Sequence, residues 1–399
     1  MFVDVTLKDL IDLNVFDGMK LITGEKGLSR KISSCGILDY ELDRSLKDRY
    51  VHSNFQEHQF ALTTFLYAKD EEYLINDAIK YLVNKKASGL AIKNVYRLTI
   101  HDSVLRYAES MDFPIFLIDS TMYFENIIIS IKDSIELLGN SHYGQTKIDT
   151  ILYKSLDPVH IRQHALQLNP SIKNNFFIMY FYVQGHLDNQ QFFKIHTSFK
   201  NSKLNLPSNS LFRYNNGFLL LYSNDFIDSY DQDILLTEII QTLLDTNTKF
   251  AIGVSDLHYR IEEIKQAIHE AFYAALLHHQ EHSGLLKYEE IGTYKTIFPF
   301  ARTETMQRFS ERYLNPLRDF DAENTLLLFE TLTQFIMCNG NLHELSKKLS
   351  LHENTLRYRL DRVAQLTGLN FKKPEHYEQL SLAVKIHICS ELLSEFGVV

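Results

Sequence analysis

Tryptophan is absent from the 399 residues, and cysteine is nearly so. The three thiols, Cys35, Cys338 and Cys389, are scattered and share no metal-ligand or disulfide-framework spacing. They read as free core thiols in a reduced, cytoplasmic compartment. Glycine (15) and proline (7) are sparse, which excludes collagen-like and long disordered segments. No apolar run approaches the roughly 20 residues of a membrane-spanning helix. Phe176 to Val183, among the longest, suits a buried strand, so no membrane partner is expected. The opening MFVDVTLKDL carries acids and no apolar core, so no secretory leader is expected there either. What is present is ordinary for globular protein: 45% hydrophobic and 23% charged residues, in a chain long enough for roughly two to four domains.

An excess of positive charge is also lacking, since the net charge is -9. Its distribution is uneven. Between Asn339 and Lys373 stand seven basic residues (Lys347, Lys348, Arg357, Arg359, Arg362, Lys372, Lys373) against three acids (Glu344, Glu353, Asp361). That segment carries +4 and the remainder -13. A basic island on an acidic body directs one segment at a polyanion and keeps the rest away from it.

Residues 1–125 read as mixed α/β. Leu7 to Leu13 predicts a short helix, and Leu21 to Ile32 has hairpin character around Gly24 and Gly27. Glu72 to Lys85 and Ser103 to Met111 are amphipathic helices, each followed by a short apolar strand, Leu90–Ile92 and Phe113–Ile118. That alternation predicts a small parallel sheet. In the connector, 126–170, Ile127, Ile131, Ile135 and Leu138 recur at helical spacing, to pack against a second subunit or against the same chain. Residues 171–292 offer strand 176–183, a hairpin 211–222 turned by Asn215-Asn216-Gly217, helix 233–245, strand 250–254, helix 259–281 and strand 285–288. This order predicts a ferredoxin-like α+β sheet with helices on one side. Residues 300–399 predict an all-helical domain, with helices near 303–315, 321–338, 342–349, 353–367 and 374–394.

The strongest signal runs from Asn341 to Gly368. Asn341 suits a helix N-cap, with Glu344 placed to complete a capping box. Leu342, Leu345 and Leu349 give the first helix a buried side, and Ser350-Leu351-His352 is a corner. The second helix sets Leu356, Leu360 and Val363 on one face and ends at Gly368. Asn354, Thr355, Tyr358, Arg362 and Gln365 fall roughly opposite, while Arg357 and Arg359 flank the core face. Arginine and amide groups pair bidentately with guanine and adenine edges in a major groove. Lys347 and Lys348, closing the first helix, suit phosphates. The expected DNA-contacting set is Asn354, Thr355, Arg357, Tyr358, Arg359, Arg362, Lys347 and Lys348.

On these residues, residues 325–390 resemble the C-terminal helix-turn-helix of the PucR (purine catabolism regulator) and CdaR family of bacterial transcription factors. The likeness lies in Asn339-Gly340-Asn341, Leu345 to Leu349, Leu351 to Leu360, Leu366-Thr367-Gly368 and Leu380 to Ile386. Val5 to Leu10 and Thr23 to Leu28 resemble the family's N-terminal sensory domain, and residues 171–292 its middle domain, which is similar to nucleotide cyclase GGDEF modules. The resemblance implies a cytoplasmic homodimer that binds double-stranded promoter DNA and answers to a metabolite or stress signal, such as a small-molecule effector; no cofactor is expected.

An active GGDEF module needs Mg²⁺-binding carboxylates and glycines that admit a triphosphate. Here the hairpin reads Arg213-Tyr214-Asn215-Asn216-Gly217-Phe218, and the strand 177–183 offers no carboxylate. Dimerisation or packing is the expected role, with no catalytic residues. A nucleotide-binding or cyclase-related signalling protein without a DNA role is the alternative, and a DNA-free scaffold a second. His278, His279 and His282 share a helix but lack an evident fourth ligand, so no metal site is assigned. Asp119-Ser120-Thr121 reads either as a ligand contact past a strand end or as a cap for the helix that follows.

Overall fold

The computed structural model describes residues 5–39, 55–183, 185, 187–227, 232–244, 249–279 and 284–395. The N-terminal unit contains α1 (Leu7–Asp12), β1 (Met19–Thr23), β2 (Ser34–Ile37), β3 (Gln59–Thr63), α2 (Leu74–Asn84), β4 (Gly89–Ile92), α3 (Asp102–Ser110) and β5 (Ile115–Ile118). The sheet order is β1-β5-β4-β3-β2, with β2 to β5 parallel and β1 antiparallel to β5. Side chains alternate across the strands, so each face buries its own set. Ala61, Leu90, Ile92 and Ile115 pack under α2 and α3. Phe60, Leu62, Ala91 and Phe116 pack under α1 and the start of α4 (Phe124–Tyr153).

The hairpin expected over Leu21 to Ile32 does not form. β1 pairs with β5, and Glu25–Ser29 is a 3-10 turn. The glycines serve close backbone approach instead. A Cβ on Gly24 would stand 2.2 Å from the Phe113 carbonyl oxygen, and one on Gly27 2.0 Å from that of Asp112. The Glu109 carboxylate holds this turn, accepting from Gly24 N–H at 2.6 Å and Thr23 Oγ1 at 2.8 Å.

α4 is 30 residues long, about 45 Å at 1.5 Å per residue. Its apolar stripe packs on its own chain. Ile127 and Ile131 are buried in the N-terminal core, while Ile148, Ile151 and Leu152 are buried against the central unit. Lys200 bridges to Asp133 and Glu136 on its flank, and Tyr214 Oη donates to Asp149 at 2.7 Å.

The central unit continues with α5 (Pro158–Leu168), β6 (Asn175–Val183), α6 (Asn189–Lys200), β7 (Ser210–Tyr214), β8 (Gly217–Asn224), α7 (Gln232–Leu243), β9 (Phe250–Val254), α8 (Ile264–His279) and β10 (Gly284–Lys287). Its sheet order is β10-β9-β6-β8-β7, with β6 central and antiparallel to both neighbours. Helices cover both faces, where the element order predicted cover on one. The reason lies in β6, where every residue but the first is buried: Phe177, Met179, Phe181 and Val183 face α6 and α7, and Phe176, Ile178, Tyr180 and Tyr182 face α8. A strand apolar on both sides needs cover on both.

The C-terminal helices are α9 (Tyr294–Ile297), α10 (Glu304–Glu323), α11 (Leu328–Met337), α12 (Leu342–Leu349), α13 (Glu353–Thr367) and α14 (Pro374–Glu395). α10 runs through Pro316, past the expected end at 315, because the buried Leu314 and Leu317 hold it on the core. α8 lies between the central sheet and α14, so one continuous core joins the two units. No described helix is long and apolar enough to cross a membrane.

A buried ion cluster pins the entry to α8. His258 Nε2 meets Glu270 at 2.9 Å and its Nδ1 meets Glu263 at 3.2 Å; Glu270 also accepts from Asp256 N–H at 3.1 Å and Gln266 at 2.8 Å. Burial opposes the imidazolium, but bonds and charge from Glu270, then Glu263, outweigh it and raise the His258 pKa. Stability from a raised pKa is present in full below the unfolded value, near 6.5, and is lost as pH rises through the folded value. Glu270→Gln should therefore destabilise the protein in urea titrations by on the order of 3 kcal/mol below pH ~6.5 and by less near pH 9. Equal losses at both pH values would contradict this assignment.

Candidate nucleic-acid interface

Leu356, Leu360 and Val363 are 0–1% exposed and seat α13 in the helical core beside Leu345 of α12. Burying three aliphatic side chains stabilises this seat by roughly 1.5–3 kcal/mol each. The Asn341 side chain caps α12, accepting from His343 N–H at 3.1 Å and Glu344 N–H at 3.3 Å. The capping box is not completed, because Asn341 N–H already donates to the Cys338 carbonyl at 2.9 Å. Ser350, at φ +52°, turns the chain out of α12. Ser346 locks the corner by donating to the Leu351 carbonyl at 2.6 Å, and His352 Nδ1 accepts from Asn354 N–H at 3.2 Å to start α13. Gly368, at φ +71°, ends it.

With that face inward, Asn354, Thr355, Arg357 and Tyr358 are exposed on α13, Tyr358 by 61%. Arg357 reaches Glu353, one turn earlier, at 3.3 Å. Lys347 and Lys348 are exposed at the end of α12. Two arginines expected among these groups are drawn inward. Arg359 is half-buried; its Nη1 donates at 3.1 Å to Thr331 Oγ1 on α11, and its buried Nε has no hydrogen-bond partner among the described residues. Arg362 lays its guanidinium over the Phe320 ring of α10, 5.1 Å from the centroid, and donates to Gln365 at 2.7 Å. A helical wheel placed Arg362 on the outer face and Arg359 beside the core face; the neighbouring helices, invisible to the wheel, claim both.

Beside α13 runs a groove of about 480 Å³, lined by Arg357, Asp361 and Lys372 together with Leu360, Phe371 and Tyr377. Lys348 borders a separate cleft of about 320 Å³ with His387 and Glu391 of α14. Arg357 and Lys372 thus share one hollow and Lys348 lies on another. Lys372, counted in the basic island but not among the expected DNA contacts, is the lysine that lines the groove beside α13.

The other candidates hold less. His282 and the side chain of His279 lie outside the described residues, and no group of three or more His, Cys, Asp or Glu suited to a metal occurs among the described ones. Asp119 accepts from Thr121 N–H at 2.9 Å and Thr121 Oγ1 at 2.7 Å, closing a turn of its own. It does not cap α4, whose N-cap is Tyr123. Strands β2 to β5 also lie in simple sequence order across the sheet, so the reversal of strand order that opens a ligand crevice is absent there. At the β7–β8 turn, Asn215 takes φ +47° and the Asn216 amide donates to the Val183 carbonyl at 3.0 Å.

Comparison with known proteins places this geometry. Residues 328–386 match the PucR C-terminal helix-turn-helix domain, and residues 9–135 match the Purine catabolism regulatory protein-like family. The DNA-binding transcriptional activator AdeR of Bacillus subtilis is 27% identical over 107 residues, 27% of this chain and 25% of that protein. The Purine catabolism regulatory protein of Bacillus subtilis is 24% identical over 184 residues, 45% of this chain and 34% of that protein. An uncharacterized protein of Haemophilus influenzae is 42% identical over 60 residues, 15% of this chain and 16% of that protein. The chain spans about a third or less of the length of these relatives.

The two arginine environments separate stability from surface chemistry. Arg359→Ala should lower stability by about 1–2 kcal/mol, through the lost bond to buried Thr331. Arg357→Ala, at a side chain 63% exposed, should stay within about 0.5 kcal/mol of the parent. Urea titration of both variants checks this, and equal losses would contradict the assignment.

Proposed function

We propose that this chain, with PucR-type domains at both ends, is a sequence-specific DNA-binding transcriptional regulator. The observation that carries the reading is the seating of α13: three aliphatic residues bury its inner face, and Asn354, Thr355, Arg357 and Tyr358 stay in solvent. An amide, a hydroxyl, a guanidinium and a phenol on one exposed helix suit the edges of bases in a major groove. Lys347 is exposed at the end of the preceding helix, where it suits a phosphate. Arg359 and Arg362 act mainly by fixing α13 on α11 and α10, and they meet the duplex only at their tips.

The division of labour we infer is a sensor at 1–125, a helical connector at 126–170, a spacer at 171–292 and the DNA-binding domain at 300–399. The spacer is a degenerate relative of GGDEF modules. Its tight turn carries Asn215 and Asn216 where an active module has two glycines, the acidic pair is missing, and the Asn216 amide is engaged in holding the loop. That favours packing over phosphoryl transfer, and a non-enzymatic protein. Helix-turn-helix proteins read paired half-sites as two-fold dimers, so a cytoplasmic homodimer on a near-palindromic operator fits the reading. An effector bound by the N-terminal unit would act through α4, which touches both units upstream of the DNA-binding helices.

The test begins with selection of preferred duplexes from a random pool by the full chain. Replacing Asn354 and Tyr358 by Ala should cut the ratio of selected to random affinity at least about tenfold, and change affinity for random duplex little. A ratio unchanged in the double variant would overturn the role given to α13. Failure of the full chain to retain any duplex would overturn the regulator reading itself.

A further inference from the structure

The turn between α13 and α14 brings Lys372 beside Arg357, in the groove flanking the exposed face of the recognition helix. This turn is rigidly built. Asn370 accepts from Lys372 N–H on its side chain at 2.9 Å and from Lys373 N–H on its carbonyl at 2.9 Å. Its own N–H donates to His376 Nδ1 at 2.9 Å, and Phe371 sets its ring edge-on to Phe335 at 5.5 Å. On this hydrogen-bonded turn both lysine side chains stand exposed, with no ion pair to an acid of the described residues. Two adjacent, unneutralised cations on a pre-ordered turn lose little entropy on meeting an anion. Lys348, by contrast, opens onto the cleft shared with Glu391.

We propose that Lys372 and Lys373 form a second DNA-contacting element, gripping backbone phosphates alongside the bases read by α13. The inference rests on the regulator reading above and adds a phosphate clamp outside the helix-turn-helix. The groove supplies the fit. Arg357 and Lys372 both line it, with Asp361 the one acid in its wall, so a strand lying along the groove meets a guanidinium and an ammonium donor. Such contacts carry no sequence information, so they set affinity and register, not specificity.

The experiment measures binding of the full chain to a random-sequence duplex by fluorescence anisotropy across a salt series. Each phosphate contact contributes about 0.9 to the slope of log K against log salt. Replacing Lys372 and Lys373 by Ala should lower that slope by about two and weaken binding similarly on selected and random duplexes. Replacing both by Arg should restore the slope, and replacing the exposed Lys20 and Lys80 of the N-terminal unit by Ala should leave it unchanged. If the chain binds duplex but the Lys372, Lys373 variant keeps the full slope, the clamp is overturned and the regulator reading survives. If the intact chain shows no salt-dependent binding, both fall together.

Discussion

The proposed DNA-reading face depends on how Leu356, Leu360 and Val363 are packed. They fix the rotation of α13 about its own axis, and a rotation of one residue, 100°, would turn the exposed amide and phenol into the core. The lock is reinforced from the side. Arg359 ties to buried Thr331, and Arg362 rests on Phe320, so α13 is held by two neighbouring helices as well as by its apolar stripe. A recognition surface held this way is pre-ordered before it meets a partner, which lowers the cost of binding.

The same core extends further than a DNA-binding domain requires. α8 packs on the central sheet with one side and on α14 with another, and Tyr273 stacks on Phe298 at 4.7 Å across that junction. α4 in turn shares its two halves between the N-terminal and central cores. Packed interiors shift between discrete arrangements more readily than they deform continuously. A change of packing at the N-terminal sheet therefore has a contiguous physical path to the helices that present α13.

Much of this was legible in the sequence, for reasons that differ by element. α12 and α13 were readable because cap, corner, stripe and C-cap all sit within 28 residues and agree with one another. β6 was readable as an unbroken apolar run, but its cover on both faces was not: α8 packs on one face and α7 on the other, together with α6. That helix announces itself by the box of Asp188 and Gln191, each bonding the other's backbone, a signal the periodicity reading passed over. β2 and β3 were hidden because short strands inside a parallel sheet are made by their neighbours rather than by their own composition. Ser34-Cys35-Gly36-Ile37 has little strand character alone. The glycines at 24 and 27 suggested a turn, yet their cause lies some 85 residues away, in the backbone of Asp112 and Phe113. The inward pull on Arg359 and Arg362 was likewise set by distant partners, Thr331 and Phe320.

Photo-cross-linking tests the orientation of α13 most directly. A photoreactive side chain in place of Tyr358, in the otherwise intact chain bound to its selected duplex, should attach to a base within the major groove of a half-site. The same group placed at Val363, on the inner face, should attach only to protein. Cross-links to DNA from position 363, or none from position 358 while the duplex remains bound, would contradict the account.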